Sequence, residues 1–367
     1  MRKTLGTFFA LSLLLCVLMA IGAPATVSAD TLRIGAILAL TGNSAANGQS
    51  MRDGLLLAVE EINKRGGVNG SKIDLAIADD KSDPKAAVDA LNTMEATHPP
   101  LFYVSMLSSI GVALAPLADS RKVVLVGLAT SAASFTEGHD MCYRDYPLAR
   151  DEAQPLLRIL GDLRVKKLGI IYSTEEYGTE IQRLLKKGFE DAGGTVATQP
   201  FALTDISVSR QVEALKGQEA VVVATLGAGL ISAVRELKAS NPHAVVLVPS
   251  SGAVPSYFAL PEMDAVYVSA PIIYNPGYLY AREASEKFLA RYKSPLTIYA
   301  ANGYSFMSLV SGLLENSQLT RQAVKDAMAA GFQYSGVFGS VRLRAGEHDF
   351  SFTMYPAQIL NGLLKYR

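Results

Sequence analysis

Hydroxyl-bearing side chains follow an apolar run in the segment VVLVGLATSAASFT, residues 123–136. The run itself, Val123 to Val126, has the β-branched character of a strand buried on both faces. The hydroxyls after it belong to Thr130, Ser131, Ser134 and Thr136. An ordinary turn would use Gly, Pro, Asn or Asp. Because backbone N–H groups and hydroxyls can hold a carboxylate without a full countercharge, the segment predicts an anion site. Helix capping with small-residue packing is the alternative interpretation.

Small polar residues also follow the other strand-like runs. In the first half, TGNSAANG follows residues 32–40, and Ser108 and Ser109 follow residues 101–106. In the second half, the segments STEEYG, TLGAGL and PSSGAVP each come after an apolar run. None of them matches the glycine-rich patterns that bind nucleotides. Tyr177, within STEEYG, is a candidate aromatic wall with a hydroxyl at its rim.

Residue patterns for catalysis or metal binding are missing from the sequence. The histidines are His98, His139, His243 and His348, and no spacing between them suits a metal ion. Cys142 has no partner pattern for a nucleophile. The pair Asp79-Asp80 precedes Asp83-Pro84, which favours bracing and capping of a helix over acid–base chemistry. We therefore expect no enzyme activity, no metal and no cofactor.

The elements that must position these segments alternate along the chain. Strand-like and helix-like runs alternate through residues 32–127 and again through residues 152–272. Apolar strands separated by helices predict parallel sheets covered on both faces. The predicted fold is thus α/β, with two doubly wound parallel-sheet lobes, and an antiparallel pattern over residues 336–360. In such sheets ligands bind outside the carboxyl ends of the strands, which is where the polar segments lie.

Composition agrees with an α/β protein of two lobes. The chain has 367 residues, 49% hydrophobic and 19% charged, which indicates a globular protein too long for one small core. The formal net charge is zero, so no nucleic-acid partner is expected.

The first 29 residues have the pattern of a secretory signal peptide. Arg2 and Lys3 precede an apolar stretch from Leu5 to Ile21, and the segment 27–29 has the small-x-small form of a cleavage site. We expect cleavage after Ala29 and a periplasmic location. A retained membrane anchor is the alternative.

The mature chain resembles the leucine/isoleucine/valine-binding family of type I periplasmic solute-binding proteins, which serve ATP-driven (ABC) importers. The resemblance covers residues 30–367 and rests on several segments. They are IGAILALTGNSAANGQSMRDGLLLAVEEINKRGGVNG, IADDKSDPKAAV, SMLSS with VVLVGLATSAASFT, LGIIYSTEEYGTEI and YAANGYSFMSLV.

The family resemblance implies two lobes joined by a three-crossing hinge that closes over the ligand. The first lobe would comprise residues 30–149 and 279–346, and the second residues 150–278 and 347–367. The crossings would lie near residues 149–151, 276–280 and 345–352. Such a clamp needs no second copy, so we expect a monomer whose partners are a small ligand and the permease subunits of the importer.

The family's ligand-binding positions can be carried over residue by residue. The resemblance implies that Ser108, Ala129, Thr130 and Ser131 hold the ligand carboxylate and that Tyr177 supplies an aromatic wall. Three positions depart from the amino-acid binders. Asn47 and Leu226 replace aromatic residues, and Ser250 replaces the acid that receives the ligand ammonium.

The departure at Ser250 affects the expected ligand. An unpaired ammonium in a closed cleft would be costly, which favours a small carboxylate without an amino group, aromatic or branched aliphatic, over an amino acid. Glu176, Asp205 or Asp151 would restore the amino-acid interpretation if one of them points inward. Transport is the expected role, and a periplasmic sensing subunit of a signalling system is the alternative.

Overall fold

A parallel five-stranded sheet forms from the first part of the chain. The computed structural model describes residues 31–205 and 207–367, so the predicted signal peptide lies outside the described residues. The strands are β1 (Leu32–Leu38), β2 (Ile73–Asp79), β3 (Tyr103–Met106), β4 (Leu125–Ala129) and β5 (Cys142–Arg144). Their order in the sheet is β2-β1-β3-β4-β5, and each pair is parallel.

Helices alternate with these strands as the sequence predicts. They are α1 (Ala45–Lys64), α2 (Pro84–Thr97) and α3 (Ser108–Arg121). Asp83 caps α2, since its Oδ1 accepts from the Ala86 N–H at 2.8 Å, and Pro84 occupies the first helical position. Pro116 lies inside α3, and the helix runs through it. Burial of Leu114, Ala115 and Ala118 offsets the lost hydrogen bond.

A second sheet of seven strands follows. The chain continues through α4 (Ala149–Asp162), β6 (Lys167–Ser173), α5 (Glu176–Asp191), β7 (Thr195–Phe201), α6 (Ser209–Ala214), β8 (Ala220–Ala224), α7 (Gly227–Ser240), β9 (Val245–Val248), α8 (Pro255–Phe258) and β10 (Tyr267–Ala270). Alternate residues of β8 face two different cores: Val221 and Val223 pack on one face, Ala220 and Val222 on the other. Both faces of this sheet are therefore covered, which explains why β8 is uniformly apolar.

The next three helices return to the first sheet. They are α9 (Leu279–Tyr292), α10 (Ile298–Leu313) and α11 (Arg321–Ala330). Buried residues of all three, such as Phe288, Phe306 and Val324, belong to the same apolar core as β1 and β3. Helix α10 packs closely on α1: a Cβ added to Gly54 would lie 2.0 Å from the Ala300 carbonyl oxygen.

The C-terminal strands are antiparallel, as expected, but they join different sheets. Strands β11 (Phe332–Gly336) and β12 (Gly339–Leu343) form a separate two-stranded ribbon. Strands β13 (Tyr355–Leu360) and β14 (Leu363–Tyr366) extend the second sheet, whose order is β14-β13-β10-β9-β8-β6-β7. We call each sheet with the helices that share its cores a lobe, the first and the second. The α/β class with parallel sheets is confirmed.

The described helices include no candidate for crossing a membrane: none is both long and apolar enough.

Candidate functional site

A small cavity lies between the lobes, at the carboxyl ends of β3, β4, β8 and β9. It has about 300 Å³ of empty space, counting the solvent at its opening. Its lining residues are Leu107, Ser108, Ala129, Ser131, Tyr146, Tyr177, Leu226, Ser250, Ser251 and Tyr299. Seven of these ten side chains carry a hydroxyl and none carries a full charge, so the cavity suits a small polar ligand held by hydrogen bonds.

The turn before α3 brings Ser108 to the cavity. Leu107 has φ +70°, a conformation that costs free energy for a residue with a side chain. Two contacts hold it: the Leu107 N–H donates to the Ala129 carbonyl at 3.0 Å, and the Thr130 hydroxyl donates to the Leu107 carbonyl at 3.3 Å. This turn makes Ser108 the first residue of α3, so its hydroxyl lies at the positive end of the helix dipole.

Hydrogen-bond donors converge beside Ser108. A register shift in the β3–β4 pairing precedes Ala129. The N–H groups of Ser131 and Ala132 both donate to the Ser108 Oγ, at 3.2 Å each. The Ser131 Oγ is buried and has no hydrogen-bond partner within the described chain. Because the two N–H groups already donate to the Ser108 Oγ, the Ser108 and Ser131 hydroxyls at the helix N-terminus are the groups that can donate to a carboxylate.

A buried arginine braces the segment that carries these donors. Arg144 is 1% exposed and donates to the Ala132 carbonyl and, at 3.0 Å, to the Thr136 hydroxyl. Its charge is balanced by Asp349, at 2.6 Å. Arg144 is absent from the lining residues, so it positions the donors without itself reaching the cavity.

Tyr177 reaches the cavity from the second lobe because Glu175 caps the helix that carries it. The Glu175 carboxylate accepts from the N–H groups of Tyr177 and Gly178, at 2.7 and 2.9 Å, and from the Ser173 hydroxyl at 2.7 Å. The Tyr177 hydroxyl then donates to the Glu152 Oε2 at 3.0 Å. Burial and the nearby Glu152 hold the pKa of the Tyr177 hydroxyl well above its usual value, so it stays a donor to Glu152.

Glu152, in the first turn of α4, is a fully buried carboxyl group behind the cavity wall. Its Oε2 accepts from the Ser250 N–H at 3.0 Å as well as from Tyr177. Its Oε1 has no partner among the residues that the structure describes. Burial raises the pKa of Glu152 to about 7, although the hydrogen bonds from Ser250 and Tyr177 lower it.

Six of the eight ligand-binding residues predicted from the sequence line this one cavity: Ser108, Ala129, Ser131, Tyr177, Leu226 and Ser250. The other two do not. Thr130 is fully buried and its hydroxyl supports Leu107 instead. Asn47 is buried in α1 and lines a neighbouring cavity with Gly227 and Tyr257. The roles of all eight in binding stay predictions.

Sequence reasoning missed Leu107, Tyr146, Tyr299 and the nearby Glu152, and it included Ser251 only within the segment PSSGAVP. Leu107 and Ser251 directly adjoin the predicted Ser108 and Ser250, so the strand-end rule could have named them individually. Tyr146 lies between β5 and α4, and its hydroxyl is 3.1 Å from the Ser250 Oγ. Tyr299 enters from α10, about 150 residues further along the chain, and no local pattern indicates that.

The three acids considered as ammonium acceptors are engaged elsewhere. Asp151 accepts from the Leu148 N–H at 3.2 Å and caps its own helix. Glu176 accepts from the Ser134 hydroxyl at 2.7 Å, and Asp205 from the Ala202 N–H at 2.9 Å. None of the three lines the cavity.

Chemistry other than binding finds little support in the described residues. Cys142 is buried in β5, and burial raises the pKa of its thiol well above the usual value. A search of the described part of the chain finds no group of three His, Cys, Asp or Glu residues that could hold a metal ion.

The chain is similar in sequence to periplasmic binding proteins. The model of a family described as periplasmic binding protein matches residues 31–362. Leu/Ile/Val-binding protein homolog 7 of Brucella abortus is 27% identical over 350 residues, which are 87% of this chain and 85% of that protein. The leucine-, isoleucine-, valine-, threonine- and alanine-binding protein of Pseudomonas aeruginosa is 29% identical over 174 residues, so the match spans about half of its length, 47% of either chain.

Solved structures with a similar fold hold different ligands. A solute-binding protein of an ABC transporter from Rhodopseudomonas palustris, solved with benzoate, superposes with a TM-score of 0.84 at 19% identity. It covers 92% of this chain and 95% of its own. LivJ from Streptococcus pneumoniae is a branched-chain amino acid transporter substrate-binding protein solved with isoleucine. It superposes with a TM-score of 0.81 at 19% identity and covers 92% of this chain and 99% of its own. At 19% sequence identity these two comparisons establish a shared fold alone.

Proposed function

Since the chain belongs to the periplasmic binding protein family, we propose that it is the extracytoplasmic ligand-capturing subunit of an ABC importer and that it binds a small carboxylate. The observation that carries the proposal is a pair of hydroxyls at the N-terminus of α3: the Ser108 Oγ accepts from two N–H groups, which leaves its own hydrogen for a ligand, and the Ser131 Oγ has no partner among the described residues. Donors without a full countercharge suit a carboxylate, since its two oxygens can accept all of them.

Capture proceeds by closure of the two lobes. The first lobe offers the donors at Ser108 and Ser131, and the second lobe covers the ligand with Tyr177, Leu226 and Ser250. Closure of rigid lobes about a hinge excludes water and creates a surface that a permease can recognise. The ligand favours the closed state only through its stronger binding to that state.

A ligand screen tests this proposal. Residues 30–367 are mixed with small amino acids, aliphatic carboxylates and aromatic carboxylates, and the melting temperature Tm is followed. A ligand at 100 times its Kd stabilises the native state by about 2.7 kcal/mol, so a binder raises Tm measurably. Lack of stabilisation by every carboxylate in the screen would refute the proposal.

The Ser108→Ala variant tests the location of the site. A hydrogen bond to a charged group contributes about 1.5–3 kcal/mol, so the affinity for the best carboxylate should fall roughly 10- to 100-fold. Ser120→Ala is the matched control, because Ser120 is an exposed residue of the same helix whose hydroxyl bonds only to the Leu117 carbonyl. Equal affinities for both variants would place the ligand elsewhere.

Transport needs a separate measurement. The protein with its ligand should stimulate ATP hydrolysis by its permease and ATPase subunits in lipid vesicles. Ligand binding without that stimulation would favour a sensing subunit over an importer component.

A further inference from the structure

A buried carboxyl group lies behind the second-lobe side of the cavity, next to Ser250. Glu152 is 0% exposed and contacts two lining residues, Tyr177 and Ser250, through one oxygen. Its other oxygen has no hydrogen-bond partner anywhere in the described chain. A buried carboxylate of this kind is costly unless a donor or a cation compensates it.

No protein cation compensates Glu152 within the described residues. None of the ion pairs there includes it. The titratable groups that face it are the phenols of Tyr146, Tyr177 and Tyr299, from three different elements, and Asp151 on its own helix. A phenol or a second acid cannot balance a negative charge. Apart from its two hydrogen bonds and the N-terminus of α4, the charge can be balanced only by a proton or by a cation that enters the cavity.

The contacts of Glu152 also determine whether the second-lobe wall of the cavity donates or accepts hydrogen bonds. Because the Tyr177 hydroxyl donates its hydrogen to Glu152, its oxygen is left with lone pairs for other partners. The second-lobe wall is thus a hydrogen-bond acceptor backed by a carboxylate. The first-lobe wall offers hydroxyl donors at Ser108 and Ser131. A ligand that matches both walls carries an anionic group and a cationic group.

We propose that Glu152 makes the second-lobe wall the acceptor for the ammonium group of a zwitterionic ligand, in the role that residue 250 cannot fill, and that binding such a ligand displaces a proton from Glu152. This inference rests on the proposed function, and it changes the expected ligand. The serine at position 250 alone favours a carboxylate without an amino group, whereas Ser250 together with Glu152 favours a small amino acid.

The direction in which the affinity changes with pH distinguishes an amino acid from a carboxylate without an amino group. In the protein without ligand Glu152 has a pKa of about 7, so it is about half protonated at neutral pH. An ammonium group nearby favours the charged carboxylate, so the affinity should rise as the pH increases from 5.5 to 8. A ligand with only a carboxylate adds a second negative charge, so its affinity should fall over the same range.

Calorimetry on matched ligand pairs tests the inference. The probes are L-alanine with propionate, L-leucine with 4-methylpentanoate, and L-phenylalanine with 3-phenylpropionate. Titrations at pH 7 in buffers of different ionisation enthalpy count the protons exchanged. We expect the amino acid that binds best to bind at least about 10-fold more tightly than its matched carboxylate, because a hydrogen bond to a charged group contributes a free energy in this range. It should release about half a proton.

Glu152→Gln keeps the size of the side chain and an oxygen for Tyr177 and Ser250, but removes the charge. We expect it to weaken amino-acid binding about 10- to 100-fold, to abolish the proton release, and to leave the affinity of the partner carboxylate within about threefold. The matched control is Asp80→Asn. Asp80 is also fully buried, has one unpartnered oxygen among the described residues and a pKa raised by burial to about 7, but it does not line the cavity.

Each outcome points one way. The inference is supported if amino acids bind more tightly than their partner carboxylates and release protons on binding. The proton release must also vanish in Glu152→Gln and persist in Asp80→Asn. Equal or tighter binding of the carboxylates, or proton release unchanged in Glu152→Gln, overturns it while the proposed carboxylate site stands. Failure of every probe to bind refutes the proposed function itself. The proton count on the unmodified protein decides the matter even if Glu152→Gln does not fold.

Discussion

At the scale of single residues, a substitution at Ser131 should affect ligand binding without affecting the stability of the fold. Its hydroxyl is buried, lines the cavity and has no partner among the described residues, so no native hydrogen bond depends on it. Ser108 differs, because two N–H groups donate to its oxygen and would lose their acceptor if it were removed. The two serines should therefore respond differently to substitution by alanine.

We expect Ser131→Ala to change the free energy of unfolding by less than about 0.5 kcal/mol, since no internal contact is lost. The affinity for the carboxylate ligand should fall roughly 10-fold or more. Urea unfolding without ligand and calorimetry with ligand measure the two quantities. A loss of stability as large as the loss of binding free energy would mean that the Ser131 hydroxyl has a partner inside the fold.

The sequence identified many of these residues because the rule that it used is local. Polar residues directly after a parallel strand must lie at the same edge of the sheet, which located Ser108, Ser131 and Ser250. The rule does not say which way a side chain points: Thr130 and Ser131 are adjacent, yet only Ser131 lines the cavity. Glu152 was missed because an acid in the first turn of a helix looks like a response to the helix dipole.

At the scale of elements, helix α10 sits directly on α1 through glycines. A Cβ on Gly54 would lie 2.0 Å from the Ala300 carbonyl oxygen, and one on Gly303 would lie 2.8 Å from the Met51 carbonyl oxygen. The distance between the two helices depends on which residues meet, and these residues are about 250 positions apart in the chain, so no local pattern predicts it. This packing also holds the start of α10, where Tyr299 reaches the cavity.

We expect Gly54→Ala to lower the free energy of unfolding by about 3 kcal/mol or more, because backbone atoms cannot move aside as a flexible side chain would. Gly312→Ala, in α10, is the matched control. Nothing lies within 4 Å of a Cβ there, so replacing glycine inside a helix should raise the free energy of unfolding by about 0.5–1 kcal/mol. Urea unfolding of both variants checks the prediction. Similar changes in both would show that α1 and α10 can separate freely.

At the scale of the whole molecule, side-chain hydrogen bonds away from the cavity lining join the two lobes. The Ser134 hydroxyl donates to the Glu176 Oε1 at 2.7 Å, and the Asn43 side chain donates to the Leu203 carbonyl at 3.3 Å. Ser134 and Asn43 belong to the first lobe and their partners to the second. Contacts of this kind exist only when the lobes are close, so they favour the closed state without touching the ligand.

Glu176→Ala should therefore weaken ligand binding by shifting the lobes toward the open state. The apparent affinity falls in proportion to the closed fraction, and one exposed contact of this kind contributes about 0.5–1 kcal/mol, so we expect a two- to fivefold increase in Kd. Small-angle scattering should show a larger radius of gyration without ligand and an unchanged one at saturation. Glu180→Ala is the control, because Glu180 pairs with Arg183 in its own helix, at 2.7 Å. An unchanged Kd in Glu176→Ala would mean that the ligand alone determines closure.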